Sequence, residues 1–294
     1  MRRQKKEKVK ITAERSTWQL VAYRFRKNRL AMAGVLILAA MVLLTLLAPV
    51  YMSYHDMIRL DVVNKLQGPS MEHLLGTDEL GRDLLGRILY GGRVSLFGGL
   101  ATIILAFIGG CLIGGAAGYF GGRIDTVFMR IIDMMMAIPP IFLAMAILTA
   151  LGNGLLNLIL SLAVSQIPRF ARVVRSAVLT LRGVEYVQAA RCFGCSSLKI
   201  IVKHILPNGI GPIIVSATLT LGQIILSISS MGFLGLGVAS PMPEWGTIIS
   251  ENKLNIRYCP YLAIAPGVCI CLVVMAVNFI GDGLRDAFDP KSKN

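Results

Sequence analysis

Five long stretches of this chain contain no Asp, Glu, Lys or Arg, and they limit its possible folds more than any motif does. The runs are Leu30 to Tyr54, Val94 to Gly122, Met134 to Pro168, Ile205 to Pro243 and Tyr258 to Ile280. A hydrocarbon core about 30 Å thick is crossed by roughly 20 apolar residues of helix, so each run can span a bilayer. Met134 to Pro168 holds 35 residues interrupted by Leu151-Gly152-Asn153-Gly154, which reads as two short helices joined by a tight turn. The expected fold class is an all-α integral membrane protein with six transmembrane helices. Only 16% of residues are charged, against roughly 25% in soluble domains, which argues against a soluble enzyme.

The formal charge of +14 would suit a nucleic-acid binder, but 11 of the 30 Lys and Arg lie in residues 1–29. With the N-terminus inside, segments 1–29, 120–133, 168–204 and 281–294 hold 23 of the 30. Basic residues accumulate on the cytoplasmic side of membrane proteins, so both termini are expected to be cytoplasmic. The outer segment 52–93 carries Asp56, Asp61, Glu72, Asp78, Glu79 and Asp83. The first apolar run exceeds the roughly 7–15 residues of a cleavable signal and no small-residue cleavage site follows it, so it is expected to stay as an anchor. Residues 1–29 form a basic cytoplasmic segment in which Trp18, Val21, Ala22 and Phe25 recur at helical spacing, as in a helix lying in the membrane interface. Residues 1–12 read as a basic tail, and 30–294 form the six-span domain.

Two spans carry patterns. Small residues recur at every fourth position in the second: Gly98, Thr102, Ala106, Gly110, Gly114, Gly118 and Gly122. Such a ridge lets a neighbouring helix approach closely, whether in this chain or another. In the fifth span Ser216, Thr220, Gln223, Ser227 and Ser230 fall on one helical face. Polar atoms facing lipid are costly, so this stripe is expected to line a translocation path or to hydrogen-bond between helices. Ser161, Ser165, Gln166 and Asn278 are weaker candidates for the same path.

Several chemistries lack their residues. The acids Asp125, Asp133 and Asp282 sit near cytoplasmic ends rather than at the midplane, which disfavours an ion-coupled secondary carrier. The chain has no Gly-x-x-x-x-Gly-Lys-Ser/Thr phosphate loop, nor a nucleophile with a base or a zinc motif, so no catalytic residue is assigned. Cys192-x-x-Cys195 has metal or redox spacing without a second pair or nearby acid to complete a site, and His55, His73 and His204 are scattered, so no metal site is assigned.

The longest inside loop runs from Arg169 to His204 and is expected to form two short helices broken at Gly194, with Ser196 or Ser197 capping the second. It is apolar enough to dock a soluble protein, though a solvated basic loop would have similar composition. Its residues Gln188-Ala189-Ala190, Gly194 and Leu206-Pro207 resemble the cytoplasmic signature of permease subunits of bacterial ATP-binding-cassette importers: Glu-Ala-Ala, three residues, Gly, nine residues, Ile-x-Leu-Pro. Gln188 departs from the family's Glu and His204 from its Ile; Glu185, one helical turn earlier, offers a substitute carboxylate.

A narrower resemblance covers nearly the whole chain. Gly76-Thr-Asp-Glu-Leu-Gly-Arg-Asp83, Gly232-Phe-Leu-Gly-Leu-Gly237, Pro243-Glu-Trp-Gly246, Gly281-Asp-Gly-Leu-Arg-Asp286 and Asp289-Pro290 are similar to the second permease of dipeptide, oligopeptide and nickel importers. Asp78 and Asp83 read either as calcium ligands or as caps and ion pairs with Arg82 or Arg87, and Trp245 as an outer-interface anchor.

The resemblance implies a type I importer permease in the bacterial inner membrane that pairs with a homologous permease. It implies two ATPase subunits, which bind ATP and Mg while this chain holds no cofactor, and an external substrate-binding protein. It assigns coupling to the ATPases to Glu185, Gln188, Ala189, Ala190, Gly194, Leu206 and Pro207. Peptides are the implied cargo, with nickel chelates, glutathione or another small solute as alternatives.

Overall fold

The structure is a computed structural model and describes residues 17–289, so the expected tail of residues 1–12, and Pro290, lie outside the described residues. Helix α1 covers Thr17–Lys27, α2 Arg29–Leu46, α3 Leu84–Phe120, α4 Gly122–Met136 and α5 Pro140–Leu151. Helix α6 covers Leu155–Leu181, α7 Glu185–Cys192, α8 Ile210–Phe233, α9 Trp245–Glu251 and α10 Tyr261–Phe288. Among the described residues there is no β-strand beyond one isolated bridge between Thr77 and Asp83.

Helices α2, α3, α8 and α10 are each long and apolar enough to cross a membrane. The Met134–Pro168 run is more complex. Pro139 and Pro140 interrupt the helical ladder, because proline lacks an N–H and disfavours helix in the residue before it. There α4 and α5 bend by 92°. Helix α5 has 12 residues, about 18 Å at 1.5 Å per residue, less than a bilayer core. The expected turn follows it, with Gly152 and Gly154 at φ 86° and 151°.

Two helices outrun the apolar stretches that announced them. Helix α3 starts at Leu84 rather than Val94, so the last part of the expected outer loop is helix. Helix α6 continues through Pro168 to Leu181, absorbing the first third of the expected cytoplasmic loop. The arginines that close the two runs find uncharged partners, Arg93 over the Tyr90 ring and Arg169 at Gln223, while Arg87, Arg172 and Arg175 farther along are ion-paired, the last two with Asp133 and Asp125 on α4 at 2.6 and 2.5 Å. An uncharged-run criterion stops at the first arginine, but a helix does not.

The main seam of the fold lies between α3 and α6. The small-residue ridge builds it: a Cβ on Gly110 would lie 2.3 Å from Phe170 Cβ, one on Gly114 2.3 Å from the Ala171 carbonyl oxygen, and one on Gly118 2.9 Å from Val178 Cβ. Backbones this close gain dispersion contacts where lipid removes the hydrophobic drive between helices. Gly122 falls outside the ridge, because α3 ends at Phe120 and Gly122 opens α4 with free space around it. Among the described residues, three of the four apolar clusters are centred on Ile103, Leu148, Phe170 and Ile228; on Leu84, Ile225, Trp245 and Val277; and on Val174, Val178, Val187 and Ile205, the last of which seats α7.

Candidate coupling loop and translocation face

Helix α7 begins at Glu185, whose carboxylate stands in the first turn, where the helix dipole favours an acid. Val187 and Ala190, one turn apart, face α6 and are buried, whereas Glu185, Gln188, Ala189 and Arg191 are exposed. The helix ends in a Schellman motif: Gly194 N–H donates to the Arg191 carbonyl at 3.0 Å and Cys195 N–H to the Ala190 carbonyl at 3.1 Å. Gly194 takes φ 76°, a left-handed conformation that disfavours any side chain although nothing crowds the position. This stop leaves Phe193 87% exposed, with Leu198 and Val202 also exposed nearby in sequence. Ser196 occupies the next N-cap position without a side-chain bond, and the chain passes from Ser197–Lys199 into a π-helical turn, Ile200–Ile205, where Leu206 N–H donates to the Ile201 carbonyl at 2.9 Å. Leu206 is half-buried and Pro207 exposed. Of the sequence-predicted coupling residues, Glu185, Gln188, Ala189, Gly194 and Pro207 are exposed, Leu206 is half-buried and Ala190 is buried.

The polar stripe of α8 divides. Thr220 is fully buried, with no partner for Oγ1, so it faces the bundle and not the open side. Gln223 is exposed and its Oε1 accepts a hydrogen bond from Arg169 of α6. Ser227 and Ser230 are half-buried and donate to the Gln223 and Leu226 carbonyls, each at 2.8 Å. Ser216 lies half-buried on a cleft that Arg169 also lines. Of the weaker candidates, Ser161, Ser165 and Gln166 are buried, the two serines bonding their own helix at 2.9 and 2.8 Å, and Asn278 is exposed on α10. Sequence reading missed Arg169, since a residue closing an uncharged run is counted as a boundary and not as a member of a face.

The opposite end of the bundle is built differently. Asp78 Oδ2 accepts from Arg82 Nε and Arg87 Nη1, both at 2.7 Å, and Glu251 Oε2 accepts from Nη2 of the same two arginines, also at 2.7 Å. Asp83 caps α3 through the Gly86 N–H at 2.6 Å and meets His73 Nδ1 at 2.9 Å. Both acids are therefore engaged as cap and ion pair, the second of the two readings of that motif. Trp245 requires correction: it is fully buried rather than an interface anchor, and its Nε1 donates to the Ile88 carbonyl at 3.0 Å. Beside it, buried Glu244 accepts from Ser95 Oγ at 3.0 Å, Ser229 Oγ at 2.9 Å and the Thr247 N–H at 2.9 Å, joining α3, α8 and α9. A Cβ on Gly246 would lie 1.8 Å from the Ser229 carbonyl oxygen, and one on Gly232 2.1 Å from Glu244 Oε2. The two glycine motifs flanking the α8–α9 connection are thus two halves of one joint.

Residues 110–294 match the family described as binding-protein-dependent transport system inner membrane component, and residues 16–69 match the N-terminal TM domain of oligopeptide transport permease C. The chain is 44% identical to the dipeptide transport system permease protein DppC of Alkalihalophilus pseudofirmus, over 95% of this chain and 91% of that one. It is 38% identical to the glutathione transport system permease protein GsiD of Pectobacterium atrosepticum, over 97% and 95% of the two chains. To the oligopeptide transport system permease protein OppC of Bacillus subtilis it is 37% identical, over 94% and 90%. Among solved structures, a chain of an inward-facing MetNI methionine ABC transporter aligns at 22% identity and TM-score 0.49, covering 66% of this chain and 94% of that one.

Proposed function

We propose a role for a chain that belongs to the family of binding-protein-dependent transport system inner membrane components: it is the permease subunit through which ATP-driven import of di- or oligopeptides is coupled to movement of the spans. The reading rests on α7, a short helix fixed to α6 by Val187 and Ala190 and stopped by Gly194 so that an apolar knob, Phe193, projects away from the bundle. An exposed aromatic at the end of a capped helix is what a docking groove on a soluble subunit can grip. Two ATPase subunits would hold ATP and Mg, and their closure would push on Glu185, Gln188, Ala189, Ala190, Gly194, Leu206 and Pro207, shifting the spans between two states. A homologous permease would complete the pore, and an external binding protein would deliver cargo.

In this reading the membrane is crossed six times, α4 lies along the cytoplasmic surface, and α5 and α6 make the third and fourth crossings. Both termini are then cytoplasmic. Ser216, Gln223, Ser227 and Ser230, with Thr220 behind them, line the path. Relatives named for dipeptide, oligopeptide and glutathione transport favour peptides, glutathione being itself a small peptide. The test is Gly194→Val in the assembled transporter: uptake of a labelled dipeptide falls while membrane insertion and ATP hydrolysis persist. Uptake at the unaltered rate would overturn the coupling role.

A further inference from the structure

Where α1, α8 and α10 meet, at the end of the bundle that carries Pro207, lies a cleft of about 820 Å³ whose walls include Trp18, Arg169, Ser216, Leu219, Arg285 and Phe288. Its volume falls in the roughly 300–1,000 Å³ range of small-molecule sites. The aromatic wall is ordered, since Trp18 meets Phe288 edge-on with ring centroids 5.9 Å apart, yet Trp18 remains 54% exposed. Two guanidiniums, Arg169 and Arg285, and one carboxylate, Asp289, line the cleft. Arg169 reaches Gln223; for Arg285 no side-chain partner occurs among the described residues.

The surrounding chain adds a second, independent observation. Helix α1 has Arg24, Arg26 and Lys27 in its last turn and no acid in its first. Arg24 Nη1 donates to the Ala287 and Asp289 carbonyls at 3.5 and 3.2 Å, fixing α1 against the end of α10. A basic helix with a tryptophan on it lies in the headgroup layer, and basic pockets between spans on that side of a membrane receive anionic headgroups.

We propose that this cleft is a binding site for one anionic phospholipid, whose phosphodiester is held by Arg169 and Arg285 and whose glycerol backbone rests on Trp18 and Phe288. The two guanidiniums suit a phosphodiester, and the aromatic and aliphatic walls suit a lipid over a bare ion. Bound there, the lipid would tether α1 to α8 and α10 beside the segment that leads into the coupling loop.

The full chain in neutral detergent, titrated with lipid and read by native mass spectrometry, tests this. Phosphatidylglycerol is expected to bind and phosphatidylcholine not to. R169Q/R285Q should weaken phosphatidylglycerol binding on the order of tenfold, while R169K/R285K keeps most of it. Equal retention of phosphatidylcholine, or an unchanged affinity in R169Q/R285Q, would overturn the site. Displacement of the lipid by an equal concentration of inorganic phosphate would make it a free-anion site instead and overturn the lipid assignment. Should R169Q/R285Q fail to fold, R285Q alone gives the same reading, because Arg285 is exposed and lies outside the buried seams.

Discussion

The two ends of the bundle are stabilised by opposite means. At one end the Asp78, Arg82, Arg87 and Glu251 cluster removes charged groups from water and pairs them with one another, with Arg87 Nε left without a partner, and Glu244 gathers donors from three residues in a fully buried site. At the other, α7 has a thin apolar seat, exposed polar residues and an 87% exposed Phe193. A buried network has few alternative arrangements, whereas a small helix on a ledge can be moved by whatever grips it. The contrast separates an end held by buried polar groups from an end that is lightly seated.

The contrast makes quantitative demands. The largest effect is expected for Arg87→Met, which leaves Asp78 and Glu251 with one arginine between them; unpairing a buried ion costs about 3–5 kcal/mol, so thermal unfolding in detergent should occur at a much lower temperature. Gly114→Val should follow, because its Cβ would lie 2.3 Å from the Ala171 carbonyl oxygen and overpacking costs about 1–3 kcal/mol; the same melting experiment reads it, and wild-type stability would show that α3 and α6 can separate. Gly194→Val should cost about 1–2 kcal/mol through its left-handed backbone, with a disproportionate loss of uptake. Phe193→Ala should change stability by under about 0.5 kcal/mol, as exposed substitutions do, yet reduce capture of the ATPase subunits in a pull-down. If Phe193→Ala destabilised the chain as much as Arg87→Met, the division into a firmly held end and a lightly seated end would fail.

How much of this could be read from sequence depends on the range of the interaction. The ridge from Gly98 to Gly118 was legible because four-residue spacing is local to a helix, but its partner α6 was not, since no periodicity names a neighbour. Gly194 was legible as a break, and the Schellman bonds explain why. The stripe on α8 was legible as a spacing, while the inward turn of Thr220 depends on how α8 is rotated against its neighbours. Trp245 was misplaced because a tryptophan beside a glutamate suits an interface by composition, and only packing puts it beneath α3. Glu244 carried a usable signal, an acid three residues before Thr247 at a helix start, but Ser95 and Ser229 are remote in sequence.

By itself the sequence determined that this chain lives in a membrane, because long uncharged runs have no other stable environment, and it marked the segment from Glu185 to Pro207 as a motif, because that motif is contiguous. The tertiary structure decided which charged groups find partners and which partners those are. Arg87 with Glu251, Arg169 with Gln223 and Glu244 with Ser95 are separated by 164, 54 and 149 residues. Over such separations the energy of a buried polar group depends on where the fold brings its partner, and the hydropathy of its own segment carries no trace of it.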